Sequence, residues 1–180
     1  MLEWFLEFYC EPKDYFLKKY NSNPVHSEVL EAMESLSPGK ALDLGCGQGR
    51  NALFLAQHGF EVTAVDQNEL ALEILQSIVE QEDLEMTVGL YDINSAALTQ
   101  TYDLIVSTVV LMFLQADRIP AIIRNMQDQT NPGGYNLIVC AMDTEDYPCQ
   151  VPFSFTFKEG ELADYYKDWE LVKYNENPGH

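Results

Sequence analysis

Positive charge is what this sequence has least of. Lysine and arginine together number ten against 29 aspartates and glutamates, a formal net charge of −19 over 180 residues. A field of that sign repels phosphate backbones and anionic membrane surfaces, so neither nucleic acid nor a membrane is an expected partner. An anionic substrate would need a local group of arginines, lysines or helix N-termini to overcome it. Long apolar runs are missing too. The longest, Leu104 to Leu114, is about half of what a bilayer crossing needs and carries Ser107 and Thr108, so it reads as a buried strand. Met1 to Cys10 is apolar and aromatic but contains Glu3 and Glu7 and no positive n-region, which argues against a secretory signal. Cys10, Cys46, Cys140 and Cys149 show neither CxxC nor Cys/His ligand spacing, so no metal site is expected and the thiols read as reduced and cytoplasmic.

What is present is enough apolar content, 47%, for one sizeable core, and a single domain over residues 1–180 is expected. The chain is organised around Ala41 to Asn51, where an apolar run ends in Gly45, Gly47 and Gly49 and then takes on a helical pattern. Alternating glycines allow positive φ and leave no Cβ in the way of a ligand lying against the main chain. Residues 1–22 read as an N-terminal cover. Asn23-Pro24 reads as the start of a helix that Ser37-Pro38-Gly39 stops. Strands are then expected at Ala41 to Leu44, Phe60 to Val65, Met86 to Leu90, Tyr102 to Val110, Tyr135 to Met142 and Glu170 to Tyr174. Helices are expected at Ala52 to His58, after Asn68, after Asp117 and at Glu161 to Trp169. The aromatic stretch 143–158 reads as a possible lid. Alternating strands and helices predict an α/β fold, a three-layer, Rossmann-like sandwich around a mostly parallel sheet, with ligands at the carboxyl ends of the strands.

Two nucleotides compete for the glycine turn. A dinucleotide fingerprint is G-x-G-x-x-G/A, whereas here the spacing is G-x-G-x-G. Arg50 stands where the third dinucleotide glycine belongs, and Asp43 lies two residues before the first glycine, both unfavourable for a pyrophosphate. A carboxylate at the end of the first strand suits a ligand carrying an ammonium group, as S-adenosylmethionine does. Asp66, 21 residues after Gly45 at the end of the second strand, is placed to accept both ribose hydroxyls, a role that either cofactor would give it. At the third strand end, Asp92 and Ile93 are placed so that one accepts from the adenine amino group while the other packs on the ring. Ser107 lies at the fourth strand end. The expected cofactor-binding set is therefore Asp43, Leu44, Gly45, Cys46, Gly47, Arg50, Asp66, Gln67, Asp92, Ile93 and Ser107.

Later segments add a resemblance. The turn Asp43 to Asn51, the run Ser107 to Leu114, the stretch Asn131 to Val139, and Ala141 to Thr144 onward through Cys149 are similar to the TehB tellurite-resistance methyltransferases. The likeness continues from Phe157 to Leu162 and on to Val172–Glu176, and covers the chain from about Tyr20 onward. It implies a class I methyltransferase that uses S-adenosylmethionine, releases S-adenosylhomocysteine, and methylates tellurite and selenite as a detoxification. It also implies substrate-handling His and Arg residues just beyond Asn175–Gly179, in a hairpin leading to a seventh, antiparallel strand that 180 residues leave no room to build. A chain lacking that hairpin is expected to bind cofactor better than it turns over tellurite.

Methyl transfer from a sulfonium is an in-line displacement in which positioning supplies about 7 to 11 kcal/mol. A chalcogen lone pair needs no proton removed, so binding residues matter more than a general base, and no catalytic residue is singled out. Arg50 and His26 are the substrate-side candidates, with Lys173 and His180 as further local cations. The Ser-Thr-Val-Val exit of the fourth strand lacks the Asn/Asp-Pro-Pro-Tyr/Phe signature of DNA-adenine methyltransferases. Two alternatives stay open: a methyltransferase for another small soft nucleophile such as a thiol, and an idle cofactor-binding module that works by protein association. The expected partners are a small oxyanion and, at most, a second copy of the chain as a homodimer.

Overall fold

The computed structural model describes residues 12–177. Most of the expected N-terminal cover, with Cys10, and also His180 lie outside the described residues. The chain runs through α1 (Tyr15–Tyr20), α2 (Ser27–Ala32), β1 (Lys40–Leu44), α3 (Arg50–Gln57), β2 (Glu61–Asp66) and α4 (Glu69–Gln81). It continues through β3 (Met86–Leu90), β4 (Tyr102–Thr108), α5 (Ile119–Asp128), β5 (Thr130–Val139) and α6 (Glu161–Tyr165).

All five strands are parallel in the order β3-β2-β1-β4-β5. The chain passes from β3 back across the sheet to β4, so strand order reverses at the β1/β4 pair, and the crevice at the carboxyl ends of those two strands is the natural ligand position. Side chains alternate between two cores. Ala41, Val62, Ala64, Leu104 and Val106 pack with Val29, Leu53, Phe54, Leu72 and Leu75 from α2, α3 and α4. Leu42, Leu44, Val65 and Ile105 pack on the other face with Ile119, Ile122, Ile123 and Met126 of α5 and with Phe157 and Tyr166. This is the expected three-layer α/β sandwich.

Local residues fix several helix ends. The Asn68 side chain accepts from the Ala71 amide at 3.1 Å and caps α4. Gly59, at φ 85°, follows the end of α3. Pro120 lies in the first turn of α5, whose N-cap is Arg118.

Others are corrected. The second helix begins at Ser27, capped by His26 through Nδ1 accepting from the Glu28 amide at 3.2 Å. Asn23-Pro24 stays outside it because the His26 amide is taken by the Asn51 carboxamide at 3.1 Å and not by a helical carbonyl. Asn131 to Gly134 do not merely close α5. They form a bulge within β5, whose pairing with β4 jumps from Tyr102/Thr130 to Leu104/Tyr135. Asp103 pins this bulge, accepting from the Asn131 carboxamide at 3.0 Å and the Lys40 amide at 2.9 Å. Glu170 to Tyr174 form no strand. That segment is exposed, and Lys173 binds Glu28 and Glu31 of α2, each at 2.7 Å. A strand needs a neighbouring edge to pair with, and here Lys173 is bound to a helix instead.

Far from the sheet's carboxyl ends, Glu82 gathers the hydroxyls of Tyr15 and Tyr20 and the Lys19 ammonium, the last at 2.6 Å, and so ties α1 to the end of α4. No helix among the described residues is long and apolar enough to cross a membrane.

Candidate functional site

The glycine turn leaves β1 by doubling onto β2: the Gly45 and Cys46 amides both donate to the Val65 carbonyl at 2.9 Å. Gly45, Gly47 and Gly49 all have positive φ, at 83°, 53° and 87°, but space constrains them differently. A Cβ on Gly45 would lie 2.5 Å from a Val110 methyl, and one on Gly49 would lie 2.4 Å from Leu75 of α4. A Cβ on Gly47 would meet nothing within 4 Å. Gly49 therefore performs the close helix packing that a dinucleotide fold assigns to a later glycine, while Gly47 leaves its backbone open.

Asp66 is locked to this turn. Its Oδ2 accepts from the Gly47 amide at 2.8 Å and its Oδ1 from the Asn68 amide at 2.9 Å. The carboxylate is thus oriented at the end of β2 with lone pairs to spare. Around it opens a cavity of about 510 Å³, within the usual range for small-molecule sites of roughly 300 to 1,000 Å³. Gly45, Cys46, Gly47, Arg50, Asp66, Gln67 and Ile93 line it, as expected from their strand-end positions.

Four other expected cofactor residues and one substrate-side candidate do not line it. Asp43, 2% exposed, is buried beneath the turn and accepts from the Ala52 amide at the start of α3. Leu44 belongs to the core on the α5 face. Asp92 is exposed and accepts from the Asn94 amide at 3.0 Å, capping a short turn, so only Ile93 of that pair faces the cavity. Ser107 is fully buried, and its hydroxyl has no hydrogen-bond partner among the described residues. His26 lies behind the wall as the cap of α2.

The structure adds residues that spacing alone does not single out. Ser22 and Asn23 supply a wall from the N-terminal side, while Asn51 and Thr108 lie at the floor. Val109, Val110, Phe113 and Leu114 form the side beyond β4. Val109 has φ 59°, an uncommon value for a β-branched residue, and it ends the strand two residues earlier than the apolar run suggests. The 143–158 stretch contributes no lining residue, but its Phe153 ring stands edge-on to Phe113 at 5.4 Å. The Phe155 amide bonds the Met112 carbonyl at 3.2 Å.

Electrostatics at the turn follow from burial. Removal from water pushes the Asp43 carboxyl up to about 7, against the lowering effects of the Ala52 amide and the Arg50 guanidinium. Burial also raises the Cys46 thiol, helped by Asp43 and Asp66, so Cys46 stays protonated. Burial lowers His26, and Arg50 lowers it further. Lys173 is committed to Glu28 and Glu31 and does not line the cavity. Arg50 is the lining cation among the described residues, at the first position of α3.

The model of the family described as "Tellurite resistance protein TehB" matches residues 8–180. The chain belongs to the TehB family. A Haemophilus influenzae protein described as a probable S-adenosyl-L-methionine-dependent methyltransferase TehB is 56% identical over 178 residues, which cover 99% of this chain and 62% of that protein. An Eikenella corrodens protein named hemagglutinin 1 is 56% identical over 174 residues, 97% of this chain and 58% of its own length. The crystal structure of TehB from Haemophilus influenzae superposes with a TM-score of 0.91 at 55% identity, covering 93% of this chain and 59% of that one. This TehB-family chain thus spans about three fifths of the length of these relatives. The TehB fold is the Rossmann-like arrangement described above, with the glycine turn at its switch point.

Proposed function

We propose that the chain is an S-adenosylmethionine-dependent methyltransferase acting on tellurite- and selenite-type oxyanions, in a cytoplasmic detoxification that confers tellurite resistance. The observation that carries the cofactor assignment is the pairing of Gly47 with Asp66. A backbone free of any Cβ neighbour lies beside a carboxylate held by two amides, which suits a ribose diol, while the G-x-G-x-G spacing, with Arg50 where a dinucleotide turn has its third glycine, disfavours a pyrophosphate. The description of the Haemophilus influenzae relative supports the same cofactor, and the family's name supports the oxyanion.

S-adenosylmethionine supplies an electrophilic methyl group on a sulfonium. In this reading Asp66 accepts from the ribose hydroxyls, and Ile93 packs against the adenine with Gln67 beside it, while Asp92 caps the short turn that carries Ile93. Gly45, Cys46 and Gly47 let the ligand approach the main chain. Asp43 acts from beneath the turn by holding the start of α3, and Leu44 and Ser107 support the strand ends from within the sheet. Arg50 provides the local positive charge that an oxyanion needs inside a chain of net charge −19. Val110, Phe113 and Leu114 exclude water from the acceptor side, and His26 fixes the N-terminal wall.

Calorimetry and a methyl-transfer assay test the reading together. S-adenosylhomocysteine is expected to bind and NAD not to, and labelled methyl groups are expected to reach tellurite or selenite in preference to a small thiol. Tight NAD binding would sink the cofactor assignment, and transfer to the thiol alone would sink the oxyanion.

A further inference from the structure

Thr108 is buried at 7% exposure yet lines the cavity, one residue beyond a serine that does not. Its hydroxyl belongs to a short polar relay whose direction is set at the far end. The His26 amide can only donate, so the Asn51 atom facing it at 3.1 Å is the oxygen Oδ1. That leaves Nδ2 facing Thr108 Oγ1 at 3.0 Å, where Asn51 donates and Thr108 accepts. Asn51 is itself 2% exposed, so neither bond is softened by bulk water. No protein group among the described residues takes the remaining Thr108 proton.

We infer that Thr108 is a binding residue whose hydroxyl donates to an anionic oxygen of a ligand in the cavity, its direction fixed by the relay His26–Asn51–Thr108. This rests on the methyltransferase reading above. Two ligands carry such an oxygen: the cofactor, in the carboxylate of its amino-acid end, and an oxyanion methyl acceptor. One feature of the site favours an anion over a neutral acceptor. The Arg50 guanidinium, in the same lining, makes no hydrogen bond or ion pair with any described residue. Val109, next along the chain, has φ 59° and its amide is bonded to the Val139 carbonyl at 2.7 Å, which ties the strand end that carries Thr108 to β5. Asn51 acts through Thr108 and is a positioning residue: it consumes the threonine's acceptor capacity on one side and leaves its donor for the ligand. The relay also joins three separate parts of the site. These are the N-terminal wall at His26, the helix that follows the glycine turn, and the end of β4.

The test uses isothermal titration of S-adenosylhomocysteine into the free protein and of sodium tellurite into the S-adenosylhomocysteine-saturated protein. Thr108→Val removes the hydroxyl at nearly constant volume and is expected to weaken one of the two ligands by roughly ten- to a hundred-fold, the usual cost of a hydrogen bond to a charged group. Loss confined to S-adenosylhomocysteine identifies the cofactor carboxylate, and loss confined to tellurite identifies the acceptor. Thr108→Ser keeps the donor and is expected to stay within about twofold of wild type for both. Asn51→Asp, measured at pH 8, replaces the donating amide by a carboxylate that captures the Thr108 proton. It is expected to mimic Thr108→Val even though the threonine is intact, and the double variant Asn51→Asp/Thr108→Val should show little additional loss. Thermal melts of each variant establish that it is folded, and if Asn51→Asp is not, the Val and Ser pair decides. Unchanged affinity for both ligands in Thr108→Val overturns the assignment, as does a Thr108→Ser protein as weak as Thr108→Val. Failure of the wild type to bind S-adenosylhomocysteine at all would sink the functional reading itself.

Discussion

Asp43 offers a pH-dependent test of how the glycine turn is built. Its carboxyl is buried beneath the turn, bonded to the Ala52 amide, and pushed up to about 7 from an ordinary 3.8, chiefly by loss of solvation. Below about pH 4 the group is neutral in both the folded and the unfolded chain. Between about 4 and 7 the folded protein keeps a proton that the unfolded chain gives up, so this group's contribution to stability falls as pH rises, and above 7 it is constant. The span is about three units, which corresponds to about 4 kcal/mol at 25 °C. Asp43→Asn has the same shape, still accepts from Ala52, and never ionises. Urea unfolding of both proteins at a series of pH values isolates the group, because every other titration cancels in the difference. Asp43→Asn should gain on wild type steadily from pH 4 to 7, by up to about 4 kcal/mol, and the gap should then level off. A difference that stays flat across that window would refute the claim that a desolvated carboxyl underlies the turn.

Two further predictions concern the same loop. Gly49→Ala places a methyl 2.4 Å from Leu75 at φ 87°, and strain plus overpacking should lower stability by roughly 2 to 5 kcal/mol in denaturant titration. Gly47→Ala meets no neighbour, so it should lower stability by only about 1 to 2 kcal/mol while weakening S-adenosylhomocysteine, and equal losses in the two variants would contradict the separate roles given to the glycines. Asp66→Ala should weaken S-adenosylhomocysteine by roughly ten- to a hundred-fold in calorimetry. Unchanged binding would place the ribose elsewhere.

The outline of the fold was legible because its signals are local. β-branched runs, the capping Asn68, Gly59 after α3 and Pro120 in the first turn of α5 act over a few residues, and tertiary packing did not override them. The glycine turn and Asp66 were legible for the same reason. The misses are non-local. β4 is apolar on both faces, so periodicity cannot say which side carries the cavity, and the expected Ser107 proved to be one residue out of phase with the lining Thr108. Asn131 to Gly134 look like a loop, yet Asp103 on the neighbouring strand holds them inside the sheet. Glu170 to Tyr174 have the composition of a strand but lie against acidic α2, where Lys173 finds two carboxylates. Asn51 carries no signal of its own, since its importance comes from the two partners at His26 and Thr108, far apart in the chain.

The bond between Gly47 and Asp66 has a consequence for which ligands are turned away. An open glycine-rich turn advertises its amides to any anion, and this one has already given the Gly47 amide to a carboxylate of its own. A phosphate group arriving there would have to displace Asp66 and then sit beside the charge it displaced. A ligand offering hydroxyls and a positive centre disturbs nothing, because it needs only the lone pairs that Asp66 keeps. At the Gly47 amide the turn therefore discriminates by prior occupation: the protein fills that one anion position itself and leaves anionic groups to the Arg50 and Thr108 side of the cavity.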